Sequence, residues 1–595
     1  MNEQQCKQEK LSVLSEVKEF HPFLHSLFTR IPSISRVEYT HGNREMGADF
    51  ILAKNNSVLG MEEFIGVVVK VGGIRQNLDD VERQIKECFV PRNFDGGKQK
   101  IVLDEIWVVT NGSISNNAQD KINHQYRDKK VKFIWLETVI RLTDLHYPEY
   151  WENIEDHLGL YLSSVERRVV DLNRRSNILE DSISEFYMEQ DLAKIEFDAR
   201  KKFNVHKRRS SESLSSIIGK ERFVFVQGGM GFGKSRLLRQ AAIEHAQHKH
   251  FAANRILPVF LTYRDLVTKF SNSLSAVLDH LKNEERVTLE DHSLLFLIDG
   301  VDEIKGDLET KANNIKSFVS QLTPLEKARV VFASRPIEDL IAEQTLEEAV
   351  VRYELQPLSI QKIVAFVERI CSATKVSSKF KCDLGRSDLF RTLPRTPISA
   401  ILLARVLASN IEELPSTLPE LYSKYLDLAL GRWELTKGQV SEKEYETTVI
   451  LTRLMARMLL DNDLPDLGIG DAKQIVIDYL AVRETGQKPE ELFDRLINCS
   501  EVLSIDEVQN RIFFRHRTFL EFMFAEHMFV SKGSSAELLE PFNPYWGSVN
   551  YFYLGRLKDC PDQLNSIFRM YIHEERELIG KADSSLKCNG VLVRV

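Results

Sequence analysis

Residues 8–29 place Leu11, Leu14, Val17, Phe20, Leu24 and Leu27 at helical spacing, which predicts one amphipathic helix. The pattern then changes to short β-prone runs. ADFILAK (48–54) and FIGVVVKVG (64–72), with the turn Asn55-Asn56-Ser57 between them, predict a strand pair. An amphipathic helix follows over 77–90, and strands at 105–110 and 132–137 flank a helix near 115–128. Residues 1–150 therefore read as one α/β domain of order α-β-β-α-β-α-β. Residues 155–205 are charge-rich and predict a helical linker, and ARKKFNVHKRRSS (199–211) at its end is a basic cluster, read as a solvated face.

Beyond the linker, Phe223, Val224, Phe225 and Val226 make a short β-prone run, then glycines, then a helix from about Ser235 to His248. Leu294 to Ile298 is continuously apolar, as expected of a central parallel strand buried on both faces. The expected fold class is multidomain α/β, with a parallel-sheet core in this stretch.

The glycine segment carries chemistry. Gly228, Gly229, Met230, Gly231, Phe232, Gly233, Lys234 and Ser235 match G-x-x-x-x-G-K-[ST] without a gap. Glycines let successive backbone N–H groups turn inward around an anion. Lys234 supplies a cation for β- and γ-phosphates, Ser235 a hydroxyl for Mg²⁺, and the following helix points its positive end at the phosphates. Asp299, where the apolar strand ends, is placed to hold Mg²⁺ directly or through water. Asp302 and Glu303 follow, where a carboxylate can orient the attacking water.

At these residues the chain resembles the NACHT group of STAND-type NTPases, the nucleotide switches of NOD-like immune receptors. LLFLIDGVDEI (294–304) is similar to the group's acidic strand and RILPVFLTYRDL (255–266) to the strand before it. ARVVFASRP (328–336) resembles the next strand, which implies that Arg335 is a sensor arginine near the γ-phosphate. LQPLSIQKIVAFV (355–367) resembles the entry to the helical subdomain. LPRTPISAILL (393–403) resembles the segment whose proline lines the base, here Pro397. LYSKYLDLALGRWE (421–434) resembles the lead into the winged helix. FFRHRTFLEFMFAEHM (513–528) resembles its signature helix, whose histidine reads the phosphates, here His516. The resemblance covers about 205–530 and implies a P-loop nucleotide-binding core over 206–350, a helical subdomain over 351–430, a winged helix over 431–534 and a short α-helical tail over 535–595. On the residues alone, Pro397 also fits a helix start, and His516 a packed histidine.

Residues 1–150 resemble the restriction-endonuclease-like fold. In that family an acid and a D/E/Q-x-K tripeptide hold a divalent metal. Asp49 and Lys70 carry over, Gln84 matches an accessory position, and Glu16 or Glu19 would complete the set. Position 68 is Val, where the family places an acid or amide, so Glu62 or Glu63 would have to substitute. His21 and His25 stand four apart on the first helix, but a third ligand is not evident.

Composition narrows the setting. The chain of 595 residues is long enough for about three or four domains, and its 43% apolar content supplies packed cores. The net charge of −8 argues against bulk nucleic-acid affinity. Cysteines at 6, 88, 371, 382, 499, 560 and 588 show no metal-type spacing, which fits reduced thiols. A polar N-terminus and the absence of a membrane-length apolar run predict a cytoplasmic protein without a membrane span. After 535 there is no repeat period. NPYWGSVNYFYLGRL (543–557) resembles the helical start that follows many NACHT modules, and the terminal GVLVRV is apolar enough to dock as a strand.

The resemblance implies a bacterial anti-phage defence switch and slow ATPase using ATP/ADP and Mg²⁺. ADP would hold a closed state, a phage-derived trigger would open it, and an ATP-bound homo-oligomer would activate the N-terminal domain, through which the protein could contact nucleic acid. Two alternatives stay open: an ATP-regulated nuclease, and a STAND-type transcriptional regulator unrelated to phage.

Overall fold

The computed structural model describes residues 3–40, 46–56, 61–75, 78–94, 99–127, 129–152, 154–178, 187–198, 203–206, 212–287, 292–337, 339–373, 395–408, 415–432, 442–483, 488–498, 501–506, 508–557 and 559–570. Trp433, Cys382, Cys499, Cys588, most of the basic cluster 199–211 and the terminal GVLVRV lie outside them. The chain divides into two compact units, Met1–Gly159 and Leu160–Val595.

The first unit is built on a five-stranded mixed sheet. Its strands are β1 (Ile34–Tyr39), β2 (Phe50–Asn56), β3 (Met61–Lys70), β6 (Glu105–Thr110) and β7 (Lys130–Ile134), adjacent in that order, while β4 (Arg92–Phe94) and β5 (Gln99–Ile101) form a separate ribbon. β1–β2–β3 are antiparallel and β3–β6–β7 parallel. Alternation along β3 covers both faces. Ile65, Val67 and Val69 pack with Phe20, Leu24 and Leu27, and Val68 packs with Val81 and Ile85 of the helix Asp79–Cys88.

Two expectations need correction. The first helix is broken into Glu3–Ser12, a π-helical turn Glu16–Phe20 and His21–Phe28. The Ser15 N–H and hydroxyl both donate to the Glu19 carboxylate at 2.8 Å, which starts a new segment, and Pro22 lacks an N–H to continue the old one. The strand β1 is an addition to the predicted order, because ISRVEY mixes charge into an edge strand.

The second unit contains a seven-stranded sheet. β10 (Phe223–Gln227), β11 (Ile256–Thr262), β12 (Ser293–Asp299), β13 (Ala328–Ser334) and β14 (Val351–Leu355) are parallel. β8 (Leu192–Asp198) and β9 (Phe203–His206) extend it antiparallel. Across the sheet the order is β11-β12-β13-β10-β14-β8-β9. The expected helical linker is thus helical only over Asp156–Arg175, and its second half adds sheet edge. LAKIEFD alternates with period two rather than 3.6, which is the physical reason. β12 is buried from Leu294 to Asp299, and each such aliphatic or aromatic side chain contributes roughly 1.5–3 kcal/mol. That anchors the strand end where the acids sit.

The remainder is helical. Pro397–Ala408 and Leu418–Asp427 pack against the helices Glu442–Asp461, Ile469–Ala481 and Pro489–Asn498, with a small antiparallel sheet of β15 (Leu467–Gly468), β17 (Arg511–Phe514) and β16 (Leu503–Asp506). Arg517–Lys532 and Pro544–Leu557 close this core. Among the described residues no helix is long and apolar enough to cross a membrane.

Candidate functional site

β10 delivers the chain into the glycine turn, and the helix Lys234–Ala246 begins at its end. Gly231 and Gly233 have φ of +73° and +92°, a region that L side chains rarely adopt. A Cβ on Gly231 would also stand 2.0 Å from Ile398 Cγ2. The Gly228 N–H donates to the Ser334 carbonyl at 3.2 Å, which moors the turn to β13. Lys234 Nζ donates to the carbonyls of Gly228 and Gly229 at 2.7 and 3.2 Å, and burial lowers its pKa.

The acids sit at the end of β12. Asp299 is hydrogen-bonded by the Ser235 side chain, and burial raises its carboxyl despite the nearby Arg239. Gly300 (φ +78°) turns the chain into Val301–Glu303, and a Cβ there would press on the Glu303 carboxyl at 3.0 Å. Glu303 is also raised, by burial first, against the pull of Arg517. Asp302 moves the other way. Burial opposes ionisation, but Arg335, then Lys234 and Arg517, hold it below the usual carboxylate range.

Arg335 follows β13 and is buried. Its backbone N–H and Nε contact Asp302 at 3.0 and 3.1 Å, and Nη1 donates to the Pro544 carbonyl at 3.2 Å. Nη2 donates to both Glu521 oxygens at 2.7 and 3.0 Å. The expected sensor arginine is therefore committed, in this structure, to carboxylates from β12's end and from the helix Arg517–Lys532.

A cavity of about 810 Å³ joins these groups. Its lining includes Lys234, Ser235, Asp299, Arg335, Pro397 and His516. Pro397 does begin a helix, with Thr396 Oγ1 accepting the Ser399 N–H at 3.3 Å, and it also faces this cavity. His516 is not on the signature helix but caps it, following β17 in an extended conformation. Its Nδ1 accepts the Thr518 N–H at 3.2 Å.

The oxygen donors of Ser235 and Asp299, side by side beneath a glycine cradle that a Cβ would fill, fit Mg²⁺ and phosphates. Three lining residues were missed in the sequence. Gln190 and Arg239 each bury a polar nitrogen without a hydrogen-bond partner, and neither lies in a motif. Arg517, one residue past His516, is the third. Glu521, beyond the lining, did carry a signal, as a lone carboxylate within FLEFMF.

In the first unit, Asp49 Oδ2 accepts the Val69 N–H at 2.8 Å. The Asp49 N–H donates to the Val67 carbonyl at 2.8 Å, just beyond the last paired residues Phe50 and Val67, and both Asp49 and Val68 are buried. By alternation Lys70 shares the face of Val68, toward the helix that carries Gln84. Glu16 accepts the Val71 N–H at 3.2 Å. Glu63 cannot replace the acid missing at 68, because five residues of strand separate them by about 17 Å. Glu62 is one residue further and is held by Arg36. His21 Nδ1 is 3.0 Å from the Tyr39 hydroxyl. Among the described residues no group of three or more His, Cys, Asp or Glu is arranged to hold a metal ion.

Residues 222–374 match the family model described as the NACHT domain, which supports a P-loop NTPase fold and nucleotide binding in that stretch. No curated protein matched the chain. Similar solved structures include Aeropyrum pernix ORC1 in complex with DNA, at 12% identity and a TM-score of 0.24, covering 52% of this chain and 88% of that one. A point variant of Thermotoga maritima RuvB gives 13%, 0.23, 50% and 87%. Hsp104 with ATPγS and FITC casein gives 14%, 0.23, 46% and 48%. Overlaps this loose carry no argument about function.

Proposed function

We propose that this protein is a STAND-type NACHT switch of bacterial anti-phage defence, closed on ADP and opened by ATP into an oligomer that activates residues 1–150. One observation carries the reading: the cavity that holds Lys234 and Asp299 is also walled by Pro397 and His516, from segments that follow 163 and 282 residues after Lys234. A ligand there touches the NTPase core, the helical subdomain and the winged helix at once, so its main effect is on which arrangement persists.

In this reading the N–H groups of 228–233 and Lys234 bind phosphates, and Ser235 and Asp299 hold Mg²⁺, which supplies charge neutralisation. Glu303, its proton affinity raised by burial, positions a water for slow hydrolysis. His516 donates to a phosphate in the closed form. Asp302 and Arg335 act as a pair rather than as separate catalytic groups. For residues 1–150, buried Val68 in place of an acid or amide favours a recognition or interaction module over an ATP-regulated nuclease. Phage challenge of cells carrying wild type, Lys234→Ala and Asp49→Ala is the test. Protection lost only with Lys234→Ala supports the switch with a non-cleaving module. Loss with Asp49→Ala, together with lost nicking, favours the nuclease. Protection by neither wild type nor variant removes the defence role.

A further inference from the structure

Every nitrogen of the Arg335 guanidinium already has an acceptor: Asp302, the Pro544 carbonyl and Glu521. Glu521 has no exposed surface and serves two cations, because Arg517 Nε also donates to its Oε1 at 3.1 Å. Arg517 Nη1 reaches the Glu303 carbonyl at 3.5 Å, its guanidinium lies 4.9 Å over the Tyr545 ring, and its buried Nη2 has no hydrogen-bond partner. Glu521 thus holds the buried guanidinium of Arg335 and the partly exposed one of Arg517 against the wall that also carries Lys234. Both arginines line the cavity.

We propose that Glu521 is a specificity-determining residue that makes the closed site select a nucleoside diphosphate over a triphosphate. The proposal rests on the nucleotide-site reading above. Glu521 occupies the donors a terminal phosphate would need, so a γ-phosphate must compete with it for Arg335 and Arg517. A diphosphate is bound by Lys234 and the loop without that contest. If a triphosphate wins, Glu521 is left as a buried carboxylate without its cations. That state is strongly disfavoured, so the helix Arg517–Lys532 has to move away from the core. Pro544, which accepts from the same guanidinium, begins the helix Pro544–Leu557, so this helix and Arg517–Lys532 both report the exchange.

The test is calorimetric binding of ADP and a non-hydrolysable ATP analogue, with Mg²⁺, to the full chain. Wild type is expected to favour ADP. Glu521→Gln is expected to shift the ratio of the two Kd values toward the triphosphate by on the order of ten- to a hundredfold. Adding Arg335→Gln should reverse that shift. A ratio unmoved by Glu521→Gln, with ADP still bound, overturns the proposal. Wild type that binds neither nucleotide overturns instead the reading beneath it. Should Glu521→Gln not fold, hydrogen exchange on wild type decides. Faster exchange in 517–532 and 544–557 with the analogue than with ADP supports the proposal, and equal exchange overturns it.

Discussion

The Thr518 hydroxyl lies 2.7 Å from His516 Nδ1, and the Tyr422 hydroxyl in turn donates to Thr518 Oγ1 at 2.9 Å. With Nδ1 taken as an acceptor by Thr518, the imidazole proton sits on Nε2. Burial, followed by Arg335, Arg239 and Lys234, pushes the His516 pKa down to about 4. The ring is therefore a neutral donor at pH 7, suited to an anion without adding charge to a cationic wall.

This sets a pH dependence. A folded pKa below the unfolded value means that the unfolded chain binds the proton more tightly. The stability from neutral His516 is complete above about 6.5 and is lost as pH falls toward 4. Asp299 and Glu303, raised by burial, oppose this trend, so the comparison must isolate the histidine. Lowering pH from 7 to 5.5 is expected to destabilise wild type by on the order of 1 kcal/mol more than His516→Gln. Denaturant titration at both values measures it, and parallel losses would refute the assignment.

Lys234→Ala is expected to weaken ADP and ATP binding by roughly a hundredfold or more, because a buried charge-assisted phosphate contact disappears. Asp299→Asn keeps shape but loses charge beside Ser235, so it should lower turnover much more than ADP affinity. Calorimetry and phosphate release on the same preparations separate the two. Unchanged turnover in Asp299→Asn would remove that residue from the metal site.

Gly231→Ala meets Ile398 at 2.0 Å with φ at +73°. A loss of about 1–3 kcal/mol and weaker nucleotide binding are expected. Gly219→Ala, in the helix Leu214–Lys220 with nothing within 4 Å of the new Cβ, is the control and should be neutral or slightly stabilising. Equal thermal midpoints for the two would show that the cradle tolerates a side chain.

Arg515, beside His516, donates to the Asn177 carbonyl at 2.9 Å and to those of Arg174 and Arg175 at 3.5 and 3.4 Å. It caps the C-terminal end of the helix Asp156–Arg175, which Arg175 also ties to Asp506. Arg515→Ala should raise amide exchange in residues 172–178 several-fold while sparing β10–β13. No change there would deny Arg515 this clamp.

Local pattern made the phosphate loop and acidic strand legible. GGMGFGKS needs left-handed glycines and a following helix, and LLFLID needs burial on both faces, so a short window states both the element and its chemistry. The same windows misread LAKIEFD as helix, because its charge suggested a solvated linker, and its place in the sheet, between β14 and β9, depends on pairing with a strand distant in sequence. His516 was legible as a residue but not as a cap, since its extended backbone follows from β17 pairing with β15 and β16.

By itself the sequence determined which residue types suit phosphate and Mg²⁺, in Lys234, Ser235 and Asp299, and that Val68 stands where the resemblance of residues 1–150 asks for an acid or amide. Tertiary structure decided the partners. Nothing in the chain order links Arg335 to Glu521, 186 residues apart, or Arg515 to the end of a helix more than 330 residues earlier. Charge pairing acts through space over a few ångströms, and only the packed core determines which charges come that close.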